Sequence, residues 1–282
     1  MSSLSLRKFY FSYRNTSFIF LSLLVIPLLI SSCKLPHFFK GQASVKTETI
    51  EYRQGSNTFE GFLAFDQKAM GKKPGVIIIP NAKGPNAVEK ETARRLAGLG
   101  YTTFVVDVYG KSVHTGSNQD AAGANKPFRK NRKLLRERLH LGIASLTNRG
   151  GVDAGRLAVI GYGFGGMGAL DLARNSDALR GVVSIHGDLD SPNPKEIATN
   201  IRSKILVLHG AEDPNVPEKE AIAFQREMRA AEADWQMNYY GAARTFTQTE
   251  TGTNATRHSA PNEKATHRSW EALTSFLKET LN

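Results

Sequence analysis

The sequence contains a single cysteine, Cys33, among its 282 residues. An intramolecular disulfide is therefore excluded. The sequence also lacks clustered His, Cys and carboxylate residues at metal-ligand spacing, a nucleic-acid-binding motif with interleaved aromatics, and internal repeats. These absences predict a protein without a metal, a cofactor or a nucleic-acid partner.

The first 32 residues differ from the rest of the chain and indicate an export signal. Arg7, Lys8 and Arg14 form a basic start, and the apolar run 18–30 is shorter than a membrane span. The run ends in Leu29-Ile30-Ser31-Ser32-Cys33, which resembles a bacterial lipoprotein signal, in which the cysteine becomes the lipidated N-terminus. An uncleaved anchor with an incidental cysteine is the alternative.

We therefore predict a signal peptide over residues 1–32, a tether over 33–44 and one folded domain over 45–282. The protein is expected to be exported and to be lipid-anchored to a membrane of a bacterial envelope through Cys33.

The chain is basic, with a formal charge of +11 that falls to +8 once residues 1–32 are removed. Such a surplus favours anionic lipid, polyanions or acidic ligands, but it indicates no particular fold. The densest basic cluster alternates with leucines at helical spacing. It comprises Arg129, Lys130, Arg132, Lys133, Arg136 and Arg138. The spacing predicts the solvated face of an amphipathic helix, and a binding patch is the alternative.

Strand-like and helix-like segments alternate from residue 45 onward. Segments 49–53 and 59–65 predict an antiparallel hairpin, and the β-branched run 75–79 predicts a central strand buried on both faces. Further strands are predicted at 101–106, 157–162, 181–185, 205–208 and 235–240, helices at 87–99, 128–147, 218–231 and 266–279, and long loops at 111–126 and 245–264. The order predicts an α/β domain with a mostly parallel sheet and helices on both faces.

A glycine-dense turn follows the predicted strand that ends at Tyr162. The strand–turn–helix pattern Gly161-Tyr162-Gly163-Phe164-Gly165 matches a nucleophile elbow, in which the central residue is lifted above the sheet. Here the central residue is Gly163, which has no side chain with which to attack a carbonyl. A dinucleotide-binding turn is the alternative, although no clear acidic partner follows about 20 residues on.

Four residues come directly after predicted strands: Asn81, Gly163, Asp213 and Arg244. The carboxyl ends of parallel strands meet at one edge of a sheet, where sites gather. These residues are therefore expected to lie close together.

The order of these landmarks resembles the dienelactone hydrolase family of the α/β-hydrolase fold, from about residue 48 to 281. The motifs that carry the resemblance are Gly75-Val76-Ile77-Ile78-Ile79, Leu99-Gly100-Tyr101, Asp107-Val108-Tyr109-Gly110, Gly151-Val152-Asp153-Ala154-Gly155-Arg156, Ile160-Gly161-Tyr162-Gly163-Phe164-Gly165-Gly166, Leu208-His209-Gly210-Ala211-Glu212-Asp213-Pro214 and Tyr240-Gly241-Ala242-Ala243-Arg244-Thr245-Phe246-Thr247. The resemblance implies an α/β-hydrolase fold and hydrolysis of lactones or esters by a Cys or Ser nucleophile, a His base and an Asp that orients it.

Only one member of that triad is present. Asp213 occupies the acid position, whereas Gly163 occupies the nucleophile position and Arg244 the histidine position. The loop in which the family often has His-Glu-x-x-Gly reads Pro80-Asn81-Ala82-Lys83-Gly84, so a carboxylate beside the nucleophile is also missing. Arginine has no free lone pair at neutral pH and cannot act as the base.

No other residue replaces the missing groups by position. Ser184, His186, His209, His258 and His267 fall neither at the elbow nor at the family's base position. His186 and His209 are expected to satisfy local hydrogen bonds. Asp213 is expected to pair with Arg244, and a role as an ordinary turn residue is the alternative.

The substitutions remove a nucleophile and a carboxylate and add the cations Lys83 and Arg244. We therefore expect a catalytically inactive member of the family whose site binds an acidic small molecule, with Asn81, Lys83 and Phe164 as candidate binding residues. Two alternatives stay open. One is a slow ester or lactone hydrolase that uses water oriented by Asp213, and the other is a scaffold that binds a partner in the envelope.

Overall fold

A computed structural model describes residues 43–113, 115–191, 201–247 and 261–282. The predicted signal peptide, Cys33, most of the tether and His258 lie outside these ranges. Within them, no helix combines the length and the apolar character that crossing a membrane requires.

An eight-stranded sheet runs through the domain in the order β1-β2-β4-β3-β5-β6-β7-β8. Its strands are β1 (Val45–Gln54), β2 (Asn57–Asp66), β3 (Lys73–Ile79), β4 (Thr102–Val105), β5 (Val152–Tyr162), β6 (Gly181–Ile185), β7 (Lys204–Gly210) and β8 (Trp235–Tyr240). The predicted hairpin β1–β2 is antiparallel, β2 pairs antiparallel with β4, and the other pairs are parallel. The prediction of a mostly parallel sheet is confirmed.

Helices cover both faces of the sheet. They are α1 (Ala87–Gly98), α2 (Asn118–Lys130), α3 (Arg132–Thr147), α4 (Phe164–Arg174), α5 (Glu218–Ala230) and α6 (Glu263–Leu281). In β3, Val76 and Ile78 pack with apolar residues of α1 and α6, whereas Ile77 and Ile79 pack with those of α3, α4 and α5. The β-branched run is therefore buried on both faces, as predicted.

The loop predicted at 111–126 is wrong over its second half, because α2 begins at Asn118. Its start is stabilised by a capping box: the backbone N–H of Asp120 donates to Ser117 Oγ, and the backbone N–H of Ser117 donates to the Asp120 carboxylate. The prediction of one basic helix over 128–147 is also wrong, because α2 ends at Lys130 and α3 begins at Arg132. Asn131 separates them in a non-helical conformation and caps α3 by accepting a hydrogen bond from the backbone N–H of Leu134.

The basic cluster is not uniformly solvated. Arg132 is buried and donates to Asp171 and Asp190, at 2.8 and 2.6 Å. The solvated-face prediction holds for Lys130 and Lys133, which are exposed. It fails for Arg132, because the pattern of leucines does not reveal carboxylates that other elements place beneath the helix.

The ends of the chain's later elements differ slightly from prediction. Helix α6 begins at Glu263 rather than 266 and ends at Leu281 rather than 279. The predicted loop 245–264 is described only in part. The parallel strands β3, β5, β7 and β8 end at one edge of the sheet, and Asn81, Gly163, Asp213 and Arg244 follow those ends.

Candidate active site

Gly163 joins strand β5 to helix α4 with the backbone of an elbow. Its φ is 52° and its ψ is −112°, a left-handed region that favours glycine. Its N–H donates to the Ile185 carbonyl, and its own carbonyl accepts from Gly166 N–H, both at 3.0 Å. The elbow geometry inferred from the glycine pattern is therefore present.

The glycines around Gly163 are required by packing, whereas Gly163 is not. A Cβ built on Gly161 would lie 2.0 Å from the Gly165 carbonyl oxygen, and one built on Gly165 would lie 2.3 Å from that of Ile79. A Cβ on Gly163 would meet nothing closer than Asn81 Cβ at 3.8 Å and His186 Nδ1 at 3.9 Å, which are ordinary contacts. The central position thus retains room for a nucleophile's side chain.

Arg244, the residue expected at the family's histidine position, is held between two carboxylates. One terminal nitrogen donates to Asp213 Oδ2 at 3.0 Å, and the other donates to Asp188 Oδ1. Asp188 also accepts a hydrogen bond from Arg129, at 2.6 Å. Asp213 uses its second oxygen to accept from the backbone N–H of Asn215, at 2.9 Å. The pairing of Asp213 with Arg244, expected from the sequence, is present, and Asp188 joins it.

The two carboxylates respond differently to this arrangement. Burial favours the neutral form of Asp188, but Arg244 and Arg129 outweigh burial and lower its pKa. Burial raises the pKa of Asp213, and Arg244 offsets that effect only in part. Arg244 stays charged, because the two carboxylates outweigh its burial and raise its pKa. The four side chains form a charge-balanced quartet of two arginines and two aspartates.

His186 lies beside the elbow, which the sequence reasoning did not anticipate. Tyr162, the last residue of β5, is paired with Ile185, the last residue of β6. Gly163 and His186 each follow directly, so they are neighbours. His186 is buried, has a φ of 42°, and pairs through Nε2 with Thr247 Oγ1 at 2.9 Å. Its Nδ1 faces Gly163 and makes no hydrogen bond with another described residue.

The prediction of local hydrogen bonds thus holds for Nε2 of His186, whereas Nδ1 of His186 and Nδ1 of His209 make none with another described residue. Burial, with the charge of Arg244, lowers the pKa of His186 to about 3, so the imidazole is neutral at physiological pH. His209 is also buried, and burial with Arg244 lowers its pKa to about 4. Ser184 Oγ is buried against Gly166 and Gly187, within the sheet rather than at the elbow.

Asn81 and Lys83 form the loop that faces the elbow from β3. The Asn81 side chain accepts a hydrogen bond from Lys83 N–H at 2.7 Å, while its own N–H donates to the Glu89 carboxylate at 3.3 Å. Glu89 is fully buried in the first turn of α1. Glu89 of α1 therefore supplies a carboxylate to the loop 80–84, in which the family's glutamate is missing.

An aromatic wall continues from the elbow. Phe164 is buried and contacts the rings of Tyr109 and Phe128, with centroids 6.0 and 6.5 Å away. Arg129 lies over the Phe164 ring, and the Tyr109 hydroxyl donates to the carbonyl of Ala82. Phe164 opens α4, so its N–H has no acceptor within the helix and remains a candidate oxyanion donor.

The arrangement keeps the geometry of acyl transfer but not its reagents. The elbow, a candidate oxyanion donor and the carboxylate of Asp213 are present. A nucleophile is absent at Gly163, and Arg244 cannot accept a proton. The neutral His186 is a poor general base, because a base with a pKa near 3 has little tendency to take a proton at neutral pH.

Comparisons with known proteins show which family shares this fold. The model of the dienelactone hydrolase family matches residues 59–281. An uncharacterized protein of Caenorhabditis elegans is 33% identical over 147 residues, which cover 51% of this chain and 93% of that protein.

Two solved structures share the fold over most of the chain. A structure named m3DLH has a TM-score of 0.80 and 34% identity, and the match covers 84% of this chain and 99% of that one. A dienelactone hydrolase-like promiscuous phosphotriesterase from metagenomic libraries has a TM-score of 0.78 and 30% identity over the same shares of the two chains.

Proposed function

This chain belongs to the dienelactone hydrolase family, and on that premise we propose that it is a lipid-anchored member without the family's hydrolytic activity. Its site binds a small acidic molecule instead of cleaving an ester or lactone. The observation that carries the proposal is the pairing of an intact elbow with Gly163 at its centre and an ion-paired Arg244 at the base position.

The loss of activity follows from what each position can do. Hydrolysis by the family's mechanism needs a nucleophile and a base that removes its proton. Gly163 supplies no attacking atom, and Arg244 holds its protons and is bound to Asp188 and Asp213. We therefore assign the quartet a structural role, in which its ion pairs stabilise the fold, instead of the proton transfer that the family's histidine and aspartate perform.

The acidic ligand is supported by the rim of the site rather than by its interior. Arg244 is neutralised by two carboxylates, so a ligand's carboxylate gains little from it. Lys83 is exposed and makes no ion pair with a described residue. It lies two residues after Asn81, whose Cβ would be 3.8 Å from a Cβ built on Gly163. Tyr109 lines the same cavity as Lys83, and its ring, which stacks on the buried Phe164, adds an apolar wall there. These features suit an aromatic or lactone carboxylate.

The envelope location is supported by the sequence alone. The basic start, the apolar run 18–30 and Cys33 at its end have the order of a lipoprotein signal. The folded domain begins with β1 at Val45, so a short tether joins it to the proposed lipid.

Calorimetric titration with aromatic acids and carboxylated lactones tests the ligand. Lys83→Gln is expected to weaken binding by about tenfold, since a hydrogen bond to a charged group contributes about 1.5 kcal/mol or more. Lys278→Gln, the same change in the last turn of α6, is the control and should leave binding unchanged. Absence of binding across the panel, or equal binding by both variants, would reject the acidic-ligand proposal.

Slow hydrolysis is the second candidate, and one observation favours it. The neutral His186 presents Nδ1 to the elbow, where it could accept a proton from a water molecule. Its low pKa and the two occupied oxygens of Asp213 oppose the idea. An assay with p-nitrophenyl esters decides between the two functions. Turnover that His186→Gln or Asp213→Asn abolishes would establish an enzyme.

A further inference from the structure

Three exposed apolar side chains lie at or near the start of β1. Val45, Met70 and Leu99 are 37%, 88% and 57% exposed. Val45 is the first residue of β1, Met70 lies in the turn between β2 and β3, and Leu99 follows α1. Solvent-exposed apolar side chains that cluster together commonly mark an interaction surface.

Contacts place the other two segments beside the start of β1. Gln67 N–H donates to the Ser44 carbonyl at 2.9 Å, and Ser44 N–H donates to Asp66 Oδ1 at 3.0 Å. A Cβ built on Gly98 would touch Val45 Cγ2 at 3.9 Å. The turn before β3 and the end of α1 therefore both flank the start of β1. We call this surface, with Lys46, Lys68 and Lys72, the proximal face.

Basic residues surround the apolar ones. Six basic and three acidic side chains lie at the starts of β1, β3 and β5 and in the turn before β3. The basic residues are Lys46, Lys68, Lys72, Lys73, Arg149 and Arg156, and the acidic residues are Glu48, Asp66 and Asp153. Lys68 and Lys72 are exposed and make no ion pair with a described residue. Exposed lysines beside apolar side chains are the chemistry of contact with an anionic lipid surface.

The proximal face lies at the edge of the sheet opposite the candidate site. Strands β3 and β5 begin at Lys73 and Val152, which are paired there, and end at Ile79 and Gly161 beside the elbow. An anchor that precedes β1 in the chain therefore attaches to the domain at the end of the sheet opposite Gly163.

We infer that the proximal face rests on the anionic head groups of the membrane that carries the lipid anchor, so that the candidate site opens away from the bilayer. This inference rests on the proposed anchor at Cys33. Nine residues lie between Cys33 and Ala43, so the ten Cα–Cα steps from Cys33 to Ala43 span at most about 35 Å. The start of β1 thus stays within reach of the surface, and its lysines and apolar side chains are the first groups to meet it.

Hydrogen exchange of the full-length protein tests the orientation. The protein is produced in a bacterium that processes lipoproteins and is placed in nanodiscs of phosphatidylcholine with or without phosphatidylglycerol. Amides of residues 67–72 and 98–101 are expected to exchange more slowly on the anionic discs, and amides around Gly163 are expected to be unaffected. Equal exchange of residues 67–72 on the two kinds of disc would overturn the inference.

A matched pair of variants isolates the proximal face. Met70→Ser with Lys68→Glu and Lys72→Glu should abolish the protection. Ile222→Ser with Lys219→Glu and Arg226→Glu also replaces one apolar and two basic exposed side chains, on α5, and should retain it. Protection that survives the first variant would contradict a role for these side chains.

Two further readouts separate the possible failures. Mass spectrometry of the Cys33 peptide reports whether the lipid is attached, and an unmodified cysteine rejects the proposed anchor independently of the orientation. Protection that also occurs in detergent and grows with protein concentration would show that a second copy covers the proximal face, and it would overturn contact with lipid.

Discussion

At the residue scale, Arg244 has the contacts of a structural side chain, although the family resemblance predicts a histidine at its position. It is buried between Asp188 and Asp213, and Asp188 is shared with the half-exposed Arg129. The motifs could predict the pairing with Asp213, because the family resemblance assigns both residues to neighbouring positions of one site. They could not predict Asp188, which follows β6 outside any motif, nor the proximity of His186 to Gly163, which depends on the register of β5 and β6.

Removing Arg244 should destabilise the protein much more than removing Arg129. Arg244→Met leaves two buried carboxylates without their shared cation, and we expect the free energy of unfolding to fall by about 3–5 kcal/mol. Arg129→Met removes a side chain that is 39% exposed. Its loss is expected to be about 1 kcal/mol or less. Urea unfolding followed by circular dichroism measures both, and equal losses would show that the quartet is not a structural unit.

The buried histidines predict a loss of stability in mild acid. The folded pKa values of His186 and His209 are about 3 and about 4, below the ordinary value of 6.5. As the pH falls below 6.5, the unfolded chain binds protons that the folded chain does not, so the free energy of unfolding falls. Each histidine contributes about 1.4 kcal/mol per pH unit until its folded pKa is reached.

Urea unfolding at about pH 7 and about pH 5 measures this effect. His186→Gln should reduce the difference between the two conditions by about 2 kcal/mol. His267→Gln, which changes an exposed histidine of α6, should leave the difference as it is in the unsubstituted protein. The same slope in all three proteins would contradict a neutral, buried His186.

At the scale of elements, the strand–turn–helix unit was predictable and the α2–α3 pair was not. The apolar run before Gly161 and the glycines after it can serve only a sharp, closely packed turn, so the sequence pattern had one structural solution. Helix α2 is polar and contains Pro127, which together resemble a loop. The capping box from Ser117 to Asp120 was the available signal for its start.

The glycines of the elbow predict two different responses to alanine. Gly163→Ala meets only ordinary contacts, and the left-handed backbone is expected to cost about 1–3 kcal/mol. Gly165→Ala would place Cβ 2.3 Å from the Ile79 carbonyl oxygen, so β5, α4 and β3 would have to separate. We expect that variant to lose cooperative unfolding. Thermal unfolding compares the two, and a Gly163→Ala variant that is the less stable one would show that packing, not chemistry, accounts for Gly163.

At the scale of the whole molecule, the chain has the fold of the dienelactone hydrolase family, with Gly163 at the centre of the elbow and Arg244 paired with Asp213. The order of strands and the positions after their carboxyl ends could be predicted because burial and turn chemistry leave strong local patterns. The charge balance of the site could not, since Asp188, Arg129 and Glu89 come from separate elements. The charged side chains of the site are thus brought together by three-dimensional packing rather than by any single motif.

The hydrolysis of p-nitrophenyl acetate by the unsubstituted protein and by the double variant Gly163→Cys with Arg244→His tests the central claim most directly. We predict no turnover above the blank for the unsubstituted protein. The double variant is predicted to turn over the ester and to lose that activity when Asp213→Asn is added, because the elbow has room for the thiol and Asp213 can orient the histidine. Turnover by the unsubstituted protein that Asp213→Asn or His186→Gln removes would contradict the account.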